Sequence, residues 1–417
     1  MKNKKLLSIV ALITVFALLL TGCAKGGGGG QAQGGKTTIT FAHWRPEDTE
    51  AFKKIIAKFE EQNPNVKVEM TITPSANYIA NLQGMLLSGE GVDVFTTFPG
   101  SQFETIYSSN AYSDLTNEGF VKNFEPALIK AGQKDGKQYA IPYQLVYNIP
   151  VYNKALFAKY NIEVPKDWDS FLKASETLKK NGIIPIAFSI DVSPQQFINS
   201  MIMNNAPEED IFQKLEAGQT KLTDEWFIKS LGALKELKDK GYFQQDVPGT
   251  KADGALALFA QEKAAMLAAG SFSMATVKKQ NPNIQQGLIA PITTTEDKAV
   301  WKGIHTSTFM LGINAKSKKQ TEAKKFIEFL SNVDIASQYA NETGQMVTVK
   351  GAKYSTPELQ ESGKWTSVKT RFQPMYTFKK EEIKTAIVTA VQKIQQGISV
   401  EQAAKEAQIE VDKVIKK

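Results

Sequence analysis

The sequence predicts an α/β protein of two lobes, on three observations. Short apolar strand patterns alternate with amphipathic helical patterns over about 380 of the 417 residues. The alternation starts afresh in mid-chain, as expected of two bodies rather than one. After the first twenty or so residues, no run is both long and apolar enough to cross a bilayer. Hydrophobic residues at 42% and charged residues at 22% are values of an ordinary globular body.

The elements follow in order. In KTTITFAHW, Ile39 and Phe41 alternate with polar neighbours, which predicts a strand. PEDTEAFKKIIAKFEEQNP places Phe52, Ile55, Ile56 and Phe59 on one helical face, and Pro64 ends that helix. VKVEMTI alternates again, a helical stretch runs from Tyr78 to Leu87, and VDVFTTF reads as a mostly buried strand. Strand, helix, strand, helix, strand predicts a mainly parallel sheet, and such sheets gather ligands at the carboxyl ends of their strands. The pattern resumes with the helix DWDSFLKASETLKKNG, the strand IIPIAFS, the helix EWFIKSLGALKELKDKG and the strand KAAMLAAG. HTSTFMLGIN reads as a strand and QTEAKKFIEFLSNVDIASQYA as a helix after it. The last stretch, from Lys379, forms two helices broken at Gly397, with Ser399 and Gln402 placed for a capping box.

The N-terminus reads separately. Lys2, Lys4 and Lys5 precede Leu6 to Leu20, where only Ser8 and Thr14 are polar, which is the shape of an export signal. Leu20-Thr21-Gly22-Cys23 resembles the bacterial lipobox, where the signal is cut before a cysteine that carries a diacylglyceryl group. Residues 1–22 are then a lipoprotein signal peptide, and Cys23 is the lipidated first residue of the mature chain. Residues 23–36, rich in glycine, form a tether of ~20 Å root-mean-square reach. Acyl chains bury about 0.8 kcal/mol per methylene, so two or three hold a protein on a membrane without a spanning helix. The expected location is the outer face of a bacterial cell membrane, most simply in a species with a single membrane.

Composition narrows the function. Removing residues 1–22 takes away three lysines, so a formal charge of +7 becomes +4, with lysines scattered rather than massed, and nucleic acid is a poor partner. One cysteine leaves no disulfide, and two histidines do not complete a usual zinc site. No cofactor is implied: GEGVDV lacks a third glycine and precedes a strand, the wrong order for a dinucleotide loop. An exported glycoside hydrolase needs two carboxylates about 5 to 9.5 Å apart across the scissile bond. Glu47 and Asp48 are adjacent at a helix start, and G-x-S-x-G is absent, so no enzyme is expected. A binding protein for a solute other than sugar stays open as the alternative, although two arginines are few for an anion site.

Several blocks resemble one family, the extracellular solute-binding proteins of ABC sugar importers, the group that includes maltose-binding protein. FEEQNPNVKVEM is similar to the family's first helix and second strand, and GVDVF to its third strand, with Val92 where proline is usual. DGKQYAIPYQLVYNIPVYNKALFAKYNIEVPKDWDSF is similar to its first crossover between lobes. EKAAMLAAGSFSM, FMLGINAKSKKQTEAKKFIEFL and GISVEQAAKEAQIEVDK match in the same order. The resemblance implies a periplasmic-binding-protein-like type II fold, two α/β lobes joined by a three-segment hinge. Lobe 1 would take 36–142 and 304–349, and lobe 2 would take 143–303 and 350–417. It implies a monomer that captures a carbohydrate between the lobes and closes by hinge motion. The sugar then passes to ABC permease subunits driven by a cytoplasmic ATPase.

Sugars present C–H faces to flat rings and hydroxyls to side chains that donate and accept. Trp44, Arg45 and Glu47, directly after the first strand, fit that need, although Trp44 also fits as a cap on the core. Tyr143 and Gln144 stand at the first crossover, with Tyr147 a weaker candidate that packing explains nearly as well. Phe272 sits where the family usually shows tryptophan. His305 and Gln345 are candidate rim contacts, equally suited to hinge packing. Phe98, Asp191 and Gln195, in loops after strands, are the weakest. Several aromatic candidates lean toward an oligosaccharide over a monosaccharide.

Overall fold

The computed structural model describes residues 35–88 and 91–415. The signal segment, Cys23 and nearly all of the tether lie outside the described residues. Strand β1 (Thr37–His43) leads into the helix Thr49–Gln62, whose Phe52, Ile55, Ile56 and Phe59 are buried on one face as their spacing predicts. Asn63 ends that helix, β2 (Val66–Ile72) follows, and the helix Ser75–Ser88 returns the chain to β3 (Val94–Thr97). Both β2 and β3 pair parallel with β1.

A hairpin of β4 (Gln133–Lys134) and β5 (Lys137–Gln138) turns on Asp135 and Gly136, both at positive φ. Then β6 (Ala140–Tyr147), buried along its whole length, crosses toward β7 (Val151–Asn153). β7 belongs to a second sheet with β8 (Ile184–Ala187), β9 (Ala264–Leu267) and β10 (Gln286–Leu288), in the order β10-β7-β9-β8. The chain returns through β11 (Gly303–Ile313), then β12 (Met346–Val347) and β13 (Thr370–Phe372). The first sheet runs β12-β6-β11-β3-β1-β2, with β13 also on β11.

Two hydrophobic cores correspond broadly to the two sheets. One gathers Phe41, Phe52, Phe59, Phe95 and Phe326 around the first sheet and reaches across to part of the second. The other gathers Phe171, Phe188, Leu231, Ile387 and Val411 beneath the helices Trp168–Lys180, Ser193–Asn205 and Glu225–Asp239 and the C-terminal pair Glu381–Gln395 and Val400–Ile415. From Thr37 on, the chain forms one compact unit. Among the described residues no helix is long and apolar enough to cross a membrane.

Three local expectations change. The first sheet is mixed, because the long β11 comes back from the other sheet and pairs antiparallel with both β3 and β6. The helix expected from Gln320 to Ala340 is two, Gln320–Leu330 and Val333–Thr343, because the Asn332 side chain accepts from Asp334 N–H at 2.9 Å and caps a new start. Of the expected capping box, Ser399 Oγ accepts from Gln402 N–H at 3.2 Å, but the Gln402 amide bonds Glu406 instead.

Arg371 fastens β13 to the second core. Its side chain is fully buried and donates to the carbonyls of Met203, Ala206 and Glu208, at the C-terminal end of Ser193–Asn205. That end carries unpaired carbonyls and the negative pole of the helix, so a guanidinium satisfies both. Burial pushes its pKa down to about 10, with Glu209 and Glu208 opposing.

Candidate functional site

A cavity of about 550 Å³ lies between the two sheets. Its first wall is built at the carboxyl ends of β1, β2 and β3, which supply Trp44 to Glu47, then Pro74 and Ser75, then Phe98. Its second wall takes Asp191 and Val192 from the loop after β8, Gln195 and Gln196 from the start of Ser193–Asn205, and Phe272 from the turn after β9. Tyr376, three residues beyond Gln373, closes it from the segment that follows β13.

The floor is set by strand register. β6 and β11 pair with Gln144 opposite Thr308 and Val146 opposite Thr306, and directly opposed residues share a face. Gln144, Val146, Asn148, Thr306 and Thr308 therefore all line the cavity. Residues of the other parity face away. The Tyr143 hydroxyl donates to Leu330 O at 3.0 Å, deep in the first core. Tyr147 packs toward Trp365. His305 Nδ1 pairs with the Thr370 hydroxyl at 2.9 Å. Gln345 is buried toward the carbonyls of Phe272 and Thr343. None of these four lines the cavity.

Trp44, Arg45, Glu47, Gln144 and Phe272 do line it, together with Phe98, Asp191 and Gln195. Trp44 does so with little of its surface. It is only 7% exposed, with Phe98 stacked 4.1 Å from its ring and Phe309 and Tyr78 against it at 5.0 and 5.5 Å. Phe309 holds φ at +51°, a left-handed conformation costly for a bulky residue, and interrupts the β11 ladder beneath Trp44. Phe98 in turn stacks on Tyr376 at 5.7 Å and 11°. Gly100 permits that approach, since a Cβ there would stand 2.6 Å from the Tyr376 carbonyl. Gly270 plays the same part at Phe272: a Cβ would meet Tyr147 O at 2.8 Å, while Ser271 Oγ accepts from Tyr147 N–H.

Polar partners converge from both walls. Asn148 donates to Gln196 at 2.9 Å and its carbonyl accepts from Thr306 at 2.5 Å. Thr308 Oγ1 is buried and has no hydrogen-bond partner among the described residues. Arg45 Nε donates to Asp48 at 2.7 Å, and Asp48 also receives the Tyr339 hydroxyl. Burial opposes the Arg45 charge, but Asp48, Tyr339 and Glu47 outweigh it and hold its pKa above the usual range. His43, fully buried between Phe41 and Phe52, is pushed down to about 4 by burial, against Asp48. Among the described residues no cluster of histidine, cysteine or carboxylate could hold a metal ion. Asn148, Thr306, Thr308 and Tyr376 were not singled out from the sequence; β6 and β11 are covered on both faces, so no apolar–polar contrast marks the first three.

Residues 45–336 match the family described as bacterial extracellular solute-binding protein. The chain belongs to that family. Relatives of this solute-binding family include the multiple sugar-binding protein of Streptococcus mutans, 26% identical over 85% of this chain and 84% of its own. The melibiose/raffinose/stachyose-binding protein MelE of Bacillus subtilis is 25% identical over 81% of this chain and 79% of its own. Among solved structures, RafE in complex with raffinose superposes with a TM-score of 0.78 at 18% identity, covering 91% of this chain and 100% of that one. That likeness gives the fold: a type II solute-binding protein of two α/β lobes. The family is one of binding proteins rather than enzymes.

Proposed function

We propose that this solute-binding protein captures a carbohydrate, an oligosaccharide rather than a single sugar, in the cavity between its lobes. The observation that carries the reading is the floor of Gln144, Asn148, Thr306 and Thr308 facing Tyr376 and Phe272. Amides and hydroxyls both donate and accept, as sugar hydroxyls do, and flat rings suit C–H faces. The volume of about 550 Å³ falls within the range of pockets that enclose drug-sized molecules, more than one sugar ring. The relatives named as binding multiple sugars and as binding melibiose, raffinose and stachyose support the same class.

In the full reading, a diacylglyceryl group on Cys23 holds a monomer on the outer face of the cell membrane. The ligand stabilises a closed form to the extent that it binds that form better. The closed protein then delivers it to the transmembrane subunits of an ABC importer. A thermal-shift screen over raffinose, stachyose, melibiose, chitin and xylan oligosaccharides tests the binding step. A ligand at 100 times its Kd adds about 2.7 kcal/mol of stability. If no oligosaccharide raises the unfolding temperature, carbohydrate capture is wrong.

A further inference from the structure

The charge of the cavity rests on four side chains. Among the described lining residues Arg45 is the one cation, and Glu47 and Asp191 are the anions. Directly behind Arg45 lies Asp48, fully buried. Its carboxylate engages the guanidinium twice, Oδ2 with Nε at 2.7 Å and Oδ1 with Nη2 at 3.2 Å, and Glu47 approaches Nη2 at 3.1 Å. Tyr339, from the helix Val333–Thr343, donates its hydroxyl to Asp48 Oδ2 at 2.6 Å and accepts from Gln144 Nε2 at 2.5 Å. Asp48 is thus held by three hydrogen bonds from two residues, Arg45 and Tyr339, and through them it fixes the two cavity groups Arg45 and Gln144.

A planar guanidinium carries five N–H donors, so a bidentate pair leaves donors for a ligand while cancelling the charge. A sugar carboxylate entering this cavity would meet a cation already matched by a buried carboxylate. It would also meet Asp191 and Glu47, with no lysine in the lining to offset them. Bringing a second anion to such a site costs free energy, whereas an uncharged hydroxyl still gains the oriented N–H donors. The net positive charge of the chain, +7 by formal count, is therefore carried outside the cavity.

Resting on the carbohydrate reading above, we infer that Asp48 sets the charge selectivity of the site: by neutralising and aiming Arg45 it makes the cavity prefer uncharged over anionic saccharides. Asp48 is a positioning residue, since it lies behind Arg45 and does not itself line the cavity.

The test is calorimetric titration of two matched pairs: raffinose against raffinose oxidised to the uronate at C6 of its galactose, and cellobiose against cellobiouronic acid. Wild type, Asp48→Asn and Glu47→Gln are compared. Wild type is expected to favour the neutral member of a pair it binds. Asp48→Asn is expected to raise the ratio of uronate to neutral affinity about tenfold, the scale of one close charge pair. Glu47→Gln, whose side chain is 43% exposed and whose loss does not threaten folding, is expected to move the ratio the same way by less. A purely structural Asp48 would weaken both sugars by one common factor and leave the ratio unmoved. Unchanged ratios, or a wild type that prefers uronates, overturn this inference and leave the carbohydrate reading standing. A wild type that binds neither member of either pair, and nothing in the oligosaccharide screen, overturns both. Should Asp48→Asn fail to fold, the Glu47→Gln ratio decides.

Discussion

The Tyr339 hydroxyl donates to the Asp48 carboxylate at 2.6 Å across 291 positions of sequence, tying the helix Val333–Thr343 to the turn that opens the cavity. Burial, then the neighbouring Asp48 charge, hold the Tyr339 pKa well above that of a free tyrosine, so the hydroxyl stays a donor throughout the neutral range. Tyr339→Phe removes one donor from a buried carboxylate and the partner of the Gln144 amide. The expected loss is about 1–3 kcal/mol of stability, read as a lower urea midpoint at unchanged slope. A midpoint equal to wild type would mean that the network contributes nothing.

Stability should fall as the solution is acidified from pH 7 toward pH 4. Burial lowers both histidines of the chain, His43 and His305, from 6.5 to about 4. Between those values the unfolded chain binds more protons than the folded one, so the folded state loses stability as pH drops through 6.5 and the loss is complete below about 4. Each group is worth roughly 3 kcal/mol on that scale. Urea midpoints at pH 7, 5.5 and 4.5 measure the sum. The two imidazole Cε1 resonances should remain at their neutral positions down to about pH 5, and a titration centred near 6.5 would contradict the burial argument.

Trp44 is as much a core residue as a cavity residue. Its ring is wedged among Phe98, Phe309 and Tyr78, so Trp44→Ala should cost about 3 kcal/mol of stability through the void it leaves. Trp44→Phe, which keeps a flat ring, should cost less and retain most ligand binding. Comparison of the two variants by urea unfolding and by titration separates packing from contact; full stability in Trp44→Ala would refute the wedge.

Arg371→Met should destabilise by about 3 kcal/mol or more, because it leaves the carbonyls of Met203, Ala206 and Glu208 buried without their donor. Arg371→Lys, with fewer donors and a different shape, should recover only part of that. Equal stability of the arginine and methionine proteins would show that water replaces the guanidinium at no cost.

Cys23→Ser should move the protein from the membrane fraction to the medium when expressed in a bacterium with a single membrane. Cell fractionation and detergent-phase partition read this directly. Identical distributions of the two proteins would exclude a lipid anchor at that cysteine.

The alternation of apolar residues made most elements legible, because amphipathic helices such as Thr49–Gln62 and half-covered strands such as β2 write their burial in hydropathy. It also pointed to the carboxyl ends of β1 and β3, and so to Trp44, Arg45, Glu47 and Phe98. What it left unread was parity inside β6 and β11. Both strands are covered on both faces, so Tyr143 and Gln144 carry no contrast that says which of the two looks into the cavity. Tyr143, Tyr147 and His305 face away, while the register brings Gln144, expected alongside Tyr143, into the cavity together with Val146 and Thr306. Tyr376 was unreadable for another reason: it follows an irregular segment, and only the close approach of Gly100 brings it over Phe98. The break at Asn332 was written in the sequence as a capping residue inside an otherwise continuous apolar pattern.

A crystal structure with the oligosaccharide that gives the largest thermal shift tests the central claim most directly. The account predicts a sugar ring held between the Gln144–Thr308 floor and the Tyr376 ring. An oligosaccharide bound elsewhere on the surface, with the cavity between the sheets untouched, would contradict it.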